Sequence, residues 1–132
     1  MNQFFKSKLK MFEMVKKKIL VTGGTGYIGS HTVVELQNAG YEVVIVDNLS
    51  NSNADVIEGI TKISGVRPKF EKIDCNDITA LTALFKKHRH IDGIIHFAAS
   101  KAVGESVQKP LLYYKNNIVS LINLLELMPQ FD

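Results

Sequence analysis

Four glycines in the segment Thr22–Gly29 constrain the fold of this chain more than any other feature. The segment follows a short apolar run, Ile19–Val21, and leads into a stretch with apolar residues at helical spacing. Gly23 permits a tight exit from a strand, Gly26 lets the backbone approach a phosphate, and Gly29 lets a helix pack closely on a sheet. A strand, a glycine turn and a helix in this order predict a βαβ unit on a parallel sheet.

Further along the chain, strand-like and helix-like segments continue to alternate, which indicates an α/β fold of the doubly wound, Rossmann type. Apolar residues at helical spacing should form the buried faces of the helices. The predicted strands cover residues 18–22, 43–46, 69–73 and 94–97. The predicted helices cover residues 28–39, 56–63, 78–85 and 110–128. The apolar positions predicted for them are Ile28, Thr32, Leu36 and Ala39; Val56, Ile57, Ile60 and Ile63; Ile78, Leu81, Leu84 and Phe85; and Leu111, Tyr114, Ile118, Leu121 and Leu125.

An acidic residue completes the pattern around the glycine turn. Asp47 stands at the end of the second predicted strand, eighteen residues after Gly29. A carboxylate at this place accepts hydrogen bonds from the hydroxyls of an adenosine ribose and repels a 2′-phosphate. Asn48 follows it, rather than arginine or lysine. The pattern therefore favours NAD over NADP as a bound dinucleotide.

The charge and composition of the chain exclude several classes of protein. Six of the sixteen basic residues and one of the thirteen acidic ones lie in residues 1–18, which leaves ten bases against twelve acids in the rest. A nucleic-acid-binding face on the folded part is therefore not expected, and no stretch is apolar enough to suggest a membrane span. The single cysteine, Cys75, excludes an internal disulfide and fits the cytoplasm. We expect residues 1–15 to be a disordered basic extension and residues 16–132 to belong to one domain.

Three stretches narrow the class of enzyme. They are residues 29–36, residues 47–52 and residues 95–117, of which Lys101–Pro110 is the most specific. Together with the glycine turn, they resemble the UDP-glucose 4-epimerase family of the extended short-chain dehydrogenase/reductase superfamily. The resemblance covers about residues 16–128. It departs from the commonest family pattern at Ala99 and Ser100, where many members have Gly-Leu or Ala-Leu.

The resemblance implies a parallel sheet of order 3-2-1-4, incomplete here, bound NAD, and interconversion of UDP-glucose and UDP-galactose by a homodimeric complete enzyme. It also implies a set of cofactor contacts. Backbone amides of Tyr27 and Ile28 would meet the pyrophosphate, and residues 47–52 would surround the adenosine ribose. The full implied set is Gly23, Gly26, Tyr27, Ile28, Gly29, Asp47, Asn48, Leu49, Ser50, Asn51, Ser52, Asp74, Cys75, Phe97, Ala98, Ala99, Ser100, Lys101 and Asn116.

The family uses a Tyr-x-x-x-Lys pair to act on the sugar, and no such pair occurs in this sequence. The residues four positions after the tyrosines Tyr27, Tyr41, Tyr113 and Tyr114 are His31, Ile45, Asn117 and Ile118. No catalytic residue is therefore predicted within these 132 residues. We expect an N-terminal, cofactor-binding part of an epimerase that is inactive alone and prone to aggregate through an open strand edge.

Two other interpretations stay open. The chain could belong to a related nucleotide-sugar epimerase or dehydratase, although Lys101–Pro110 disfavours this, or it could be a non-catalytic NAD-binding module. The histidines do not predict a metal site, because no cysteine or carboxylate stands near them at ligand spacing. We expect His88 and His90 at a solvated helix end and His96 to be a hydrogen-bonded core residue.

Overall fold

A computed structural model describes residues 2–4 and 16–131. The predicted disordered extension, residues 1–15, lies outside the described residues except for residues 2–4. The strands are β1 (Lys18–Thr22), β2 (Glu42–Asp47), β3 (Lys69–Lys72) and β4 (Gly93–His96). The helices are α1 (Tyr27–Asn38), α2 (Val56–Ser64), α3 (Ile78–Lys87), α4 (Val103–Gln108), α5 (Pro110–Tyr114) and α6 (Ser120–Leu127). A π-helical segment, Lys115–Val119, joins α5 to α6, and a 3-10 turn, Met128–Gln130, follows α6.

The sheet has the predicted parallel architecture, with strand order β3-β2-β1-β4. Its register pairs Leu20 of β1 with Val44 of β2 on one side and Ile94 of β4 on the other. Because all strands run in one direction, their carboxyl ends meet at one edge. The end of β1, with its glycine turn, therefore lies between the end of β2 and the end of β4.

Apolar side chains cover both faces of the sheet, as expected when helices pack on each side of a parallel sheet. On one face, Leu20 and Val44 contact residues of α3 and α6, including Leu84 and Leu124. On the other face, side chains that alternate with these along β1 and β2 pack against α1 and α2. The second face is formed by Val21, Val33, Val43, Ile45, Ile57 and Ile60.

The buried faces of three helices differ from the predicted ones at particular positions. Ile28 of α1 is 55% exposed, and the buried residues of that helix are Gly29 and Val33. Ile63 of α2 is 73% exposed, and α2 ends one residue later at Ser64, before the left-handed Gly65. Helix α3 buries Leu81, Leu84 and Phe85 as predicted, but Ile78 at its start is 40% exposed. Asp77 caps this helix by accepting hydrogen bonds from the backbone N–H groups of Thr79 and Ala80.

The segment after β4 departs most from the predicted single helix over residues 110–128. An additional helix, α4, precedes Pro110, and the π-helical segment separates α5 from α6. The apolar face predicted from Leu111 to Leu125 is exposed, whereas Leu124 and Leu127 are buried. This face is exposed on both sides of the π turn, at Leu111 before it and at Leu125 after it. The buried side of α6 also carries the polar residues Ser120 and Asn123, so apolar residues at helical spacing marked the wrong face.

The region around His88 also corrects a prediction. His88 was expected at a solvated helix end, but it is 7% exposed. Its Nε2 lies 2.6 Å from Oε1 of Glu71 on the edge strand β3. Lys87 approaches the same carboxylate at 2.6 Å. The C-terminus of α3 is therefore tied to β3 through one carboxylate.

Candidate cofactor-binding site

A cleft of about 430 Å³ opens at the carboxyl edge of the sheet. Every residue predicted from the sequence to contact a cofactor lines this cleft, except Leu49. The lining also includes residues that the sequence did not single out. These additional residues are Val46, Ile73, Asn76, Ala102, Glu105, Tyr113 and Ser120.

The glycine turn forms the centre of the cleft and has little room for side chains. Gly23 has φ +67, and a Cβ there would lie 2.8 Å from the backbone nitrogen of Ala98. Gly26 stands before the first residue of α1, and no side chain caps the helix there. Backbone N–H groups of the first turn, including those of Tyr27 and Ile28, are left without intrahelical acceptors. Such a helix start attracts a phosphate through its N–H groups and its dipole.

Asp47 is held at the end of β2 by three donors. Its Oδ1 accepts from the backbone N–H of Leu49 at 2.9 Å and from the Ser52 hydroxyl at 3.2 Å. Its Oδ2 accepts from the backbone N–H of Thr25 at 3.2 Å. Leu49 has φ +60, and it takes part through this backbone contact rather than in the cleft lining. Because a carboxylate has about four acceptor positions, the fixed Asp47 can accept a further donor from the cleft.

The opposite side of the cleft carries a network of amide side chains. Asn116 receives a hydrogen bond from Nδ2 of Asn76 on its Oδ1 (2.8 Å) and donates from its Nδ2 to Oγ of Ser100 (2.9 Å). Nδ2 of Asn76 also donates to Oδ1 of Asp74 at 2.9 Å. The sequence pattern found Asp74, Ser100 and Asn116 but missed Asn76 and Asn117. Two consecutive asparagines inside a helical stretch were the available signal, because asparagine is a poor helix former.

The thiol of Cys75 lies at the floor of the cleft and is 5% exposed. Burial, with the charges of Asp74 and Asp47, raises the pKa of the Cys75 thiol to about 12. A thiol that stays protonated is a poor nucleophile. The backbone oxygen of Cys75 accepts a hydrogen bond of 3.0 Å from Nδ2 of Asn123, which fixes the loop after β3.

His96 joins β4 to β1 below the cleft. Its Nδ1 lies 2.7 Å from Oγ1 of Thr22. The same Thr22 oxygen accepts a hydrogen bond of 3.2 Å from the backbone N–H of Ala98. Its Nε2 lies 3.4 Å from the hydroxyl of Ser120. Burial lowers the pKa of His96, which favours the neutral ring. These contacts confirm that His96 is hydrogen-bonded, but it is half-buried rather than in the core. They fix the start of the loop that carries Ala98 to Lys101.

The described residues contain neither a metal-binding cluster nor a membrane-spanning helix. Among residues 2–4 and 16–131, no three histidine, cysteine, aspartate or glutamate side chains form a group that could hold a metal ion. Within the same ranges, no helix has the length and apolar character needed to cross a membrane.

Comparison with known proteins identifies the family. Residues 20–132 match the family model described as GDP-mannose 4,6 dehydratase. The chain belongs to this family. Within the GDP-mannose 4,6 dehydratase family, its resemblance to UDP-glucose 4-epimerases is confirmed. UDP-glucose 4-epimerase 2 of Arabidopsis thaliana is 51% identical over 118 residues, which cover 87% of this chain and 33% of that protein. UDP-glucose 4-epimerase of Bacillus subtilis is 50% identical over 113 residues, which cover 86% of this chain and 33% of that protein.

Solved structures of UDP-glucose 4-epimerases agree with the fold. The UDP-glucose 4-epimerase of Stenotrophomonas maltophila, with bound NAD and formylated UDP-arabinopyranose, matches with a TM-score of 0.81 and 50% identity over 86% of this chain and 33% of that one. The UDP-glucose 4-epimerase of Bifidobacterium longum, in complex with NAD+ and UDP, matches with a TM-score of 0.84 and 43% identity over 87% of this chain and 34% of that one. The chain thus spans about a third of the length of the relatives that it matches.

Proposed function

We propose that this chain is the NAD-binding portion of a UDP-glucose 4-epimerase. The observation that carries the proposal is the position of Asp47, whose carboxylate is held at the end of β2 beside the uncapped start of α1. This arrangement offers an acceptor for ribose hydroxyls next to donors for a pyrophosphate. The similarity to epimerases with bound NAD supports the same ligand.

The order of the strands gives the proposed direction of the dinucleotide across the cleft. The strands β2, β1 and β4 are neighbours in the sheet, in that order. Asp47 ends β2, the glycine turn follows β1, and residues 97–101 follow β4. An adenosine ribose at Asp47 and a pyrophosphate at the glycine turn therefore bring the second ribose to the loop after β4. Asp74 and Cys75 at the end of β3 would border the adenine.

The residues of this chain bind and orient the cofactor in the proposed reaction. When bound, NAD would supply reversible hydride transfer at C4 of the sugar, with the hydride returned to the opposite face of the 4-keto sugar. The thiol of Cys75, whose pKa is raised, adds no charge to the cleft floor near neutral pH. A base for the sugar hydroxyl is proposed to come from a Tyr-x-x-x-Lys pair, which no tyrosine of these 132 residues begins.

Titration of NAD into the chain, followed by calorimetry, tests the proposal. Asp47→Ala should weaken binding by at least about tenfold, because a hydrogen bond to a charged group contributes about 1.5–3 kcal/mol. Asp55→Ala is the matched control, since Asp55 is exposed before α2 and makes no side-chain cap bond. Equal affinity of the Asp47 variant and the unchanged chain would remove the assignment of Asp47, and absence of saturable binding by the unchanged chain would remove the proposal.

An activity assay, made beside the NAD titration, separates the epimerase proposal from a non-catalytic NAD-binding module. The cleft takes residues from the ends of all strands of the described sheet, which supports binding of the cofactor by these residues alone. NAD binding together with epimerisation of UDP-galactose by a longer protein that contains the chain would support the enzyme. Tight NAD binding without activity in that longer protein would support the module.

A homodimer and a cytoplasmic location complete the proposal. Helices α4, α5 and α6 expose large apolar side chains, among them Val107 (78%), Leu111 (80%) and Leu125 (56%), and exposed apolar patches of this kind mark association surfaces. Leu111→Glu should reduce the mass measured by light scattering, whereas Val66→Glu, at an exposed position away from these helices, should not. An unchanged mass for the Leu111 variant would contradict a dimer through this surface. The single, buried cysteine supports a reducing compartment.

A further inference from the structure

The π-helical segment Lys115–Val119 brings two neighbouring asparagines to one residue across the cleft. Nδ2 of Asn116 donates to Oγ of Ser100 at 2.9 Å. Asn117 pairs with the backbone of the same serine: its Oδ1 accepts from the Ser100 N–H at 2.8 Å, and its Nδ2 donates to the Ser100 carbonyl at 3.0 Å. In a regular α-helix, consecutive side chains diverge by about 100°. The wider π turn reduces that angle, and π turns are frequent at functional sites.

The orientation of each amide in this network is determined by its partners. The Ser100 N–H can only donate and its carbonyl can only accept, so they orient Asn117. The carboxylate of Asp74 can only accept, so it requires Nδ2 of Asn76 to face it. Asn116 lies between these ends and must turn its oxygen to Asn76 and its nitrogen to Ser100.

One consequence is a directed donor in the cleft. The Ser100 oxygen already accepts from Asn116, and within the described ranges no residue accepts the proton of the Ser100 hydroxyl. Ser100 lines the cleft in the loop after β4. Asn76 is bound in the network although its Oδ1 is buried and has no hydrogen-bond partner there. The network therefore orients Ser100 while the buried Oδ1 of Asn76 is left without a hydrogen-bond donor among the described residues.

We propose that Asn117 is a positioning residue that holds the Ser100 hydroxyl as a hydrogen-bond donor to the second ribose of the dinucleotide. This inference rests on the proposed binding of NAD and adds the residue that fixes one of its contacts. Both amide groups of Asn117 bond to the Ser100 backbone. Its Oδ1 also accepts a longer bond of 3.3 Å from Nδ2 of Asn116, which itself donates to the Ser100 hydroxyl. The contact reaches the ribose beyond the pyrophosphate and leaves the adenosine half untouched.

The test compares NAD with ADP, which contains the adenosine and both phosphates but lacks the second ribose. Ser100→Ala removes the hydroxyl and keeps the backbone pairing, and Asn117→Ala removes the pairing. Each variant should bind NAD about tenfold more weakly, which corresponds to the loss of one neutral hydrogen bond. Its affinity for ADP should stay within about twofold of that of the unchanged chain. Asn117→Asp keeps the acceptor for the Ser100 N–H but sets a carboxylate oxygen against the Ser100 carbonyl, so it should weaken NAD binding at least as much as Asn117→Ala. Asn38→Ala, on the exposed end of α1, is the matched control.

A double-mutant cycle separates positioning from a general structural role. If Asn117 acts through the Ser100 hydroxyl, Ser100→Ala combined with Asn117→Ala should bind NAD no more weakly than either single variant. The inference would be overturned if the two substitutions together reduced NAD affinity by the product of their separate effects. It would also be overturned if ADP affinity fell as much as NAD affinity. Either outcome would leave NAD binding by the unchanged chain in place. An unchanged NAD affinity of Ser100→Ala would also overturn the inference, and this variant tests the idea even if Asn117→Ala does not fold. If the unchanged chain bound ADP and NAD equally or neither of them, the second-ribose contact would be refuted, in the latter case together with the proposed function.

Discussion

A Cβ atom on Gly29 would lie 2.2 Å from the carbonyl oxygen of Gly23. That carbonyl cannot easily move away, because it accepts from the backbone N–H of Gly26 at 3.1 Å. The N–H of Gly23 in turn donates to the carbonyl of Val46 at 2.8 Å, which ties the turn to β2. The start of α1 therefore rests directly on the backbone of the glycine turn, and only glycine fits at the point of contact.

Gly29→Ala should destabilise the fold and weaken NAD binding. Forcing a methyl group against the backbone costs about 1–3 kcal/mol, and a rigid carbonyl places this change at the upper end. Urea unfolding followed by circular dichroism measures the loss. Gly59→Ala is the matched control, because a Cβ on this helical glycine meets nothing within 4 Å. It should raise stability by about 0.5–1 kcal/mol. Equal stability of the two variants would contradict the steric argument.

Thr22→Val should lower the free energy of unfolding by about 2 kcal/mol, because it removes the buried partner of both His96 and the Ala98 N–H. The loss should appear in urea unfolding, while Thr82→Val, whose hydroxyl bonds at the surface within α3, should change stability by less than about 0.5 kcal/mol.

The tautomer of His96 provides a second readout of the Thr22 contact. The Thr22 oxygen accepts from Ala98, so its single proton is available for Nδ1 of His96. Nitrogen NMR of the folded chain should therefore show a neutral ring protonated on Nε2. A ring protonated on Nδ1 would contradict this assignment.

The stability of the fold should decrease in acid through Glu71. Burial acts to raise the pKa of Glu71, but hydrogen bonds and charges from Lys87 and His88 outweigh it, so the pKa is lowered. The ionised group then stabilises the fold above the pKa of the unfolded chain, about 4.3, and this contribution is lost as the pH falls through the lowered value. Glu71→Gln should cost about 1–2 kcal/mol at pH 7 and have little effect once the carboxyl is protonated.

The matched control for Glu71 is Glu58→Gln. Glu58 pairs with Arg67 at the surface, where both side chains are more than half exposed. An exposed ion pair contributes about 0–1 kcal/mol, so this variant should unfold close to the unchanged chain across the pH range. A Glu71 variant whose stability difference did not depend on pH would refute the role of its charge.

Cys75 should be unreactive in the folded chain. Its thiol is buried, with a pKa raised to about 12, so the thiolate that reacts with disulfide reagents is scarce near pH 8. Because the sequence contains one cysteine, a chromogenic disulfide reagent reports on this site alone. Labelling should be slow without denaturant and rapid in urea. Rapid labelling of the folded chain would show that the cleft floor is open to solvent.

The local pattern of the sequence predicted the sheet well. The parallel sheet and the position of β1 follow from apolar runs and glycines that act over a few positions, whereas the strand order was implied by the resemblance to a family. The same local rules mispredicted the helical region after β4. A 3.6-residue apolar period assigns Leu111 to a buried face, but this face is exposed before and after the π turn. The buried side of α6 carries polar Ser120 and Asn123 beside Leu124, which the apolar pattern does not mark.

The sequence by itself determined where the dinucleotide site begins, because Gly23, Gly29 and Asp47 occupy positions whose backbone and charge requirements are met by few residues. Only the tertiary structure decided how the far side of the cleft is built. Asn76 and Asn117 lie forty-one positions apart, and both reach the site through Asn116 and Ser100. Their roles depend on amide orientation and on the path of a π turn, and these properties arise from contacts between distant segments rather than from the identity of neighbouring residues.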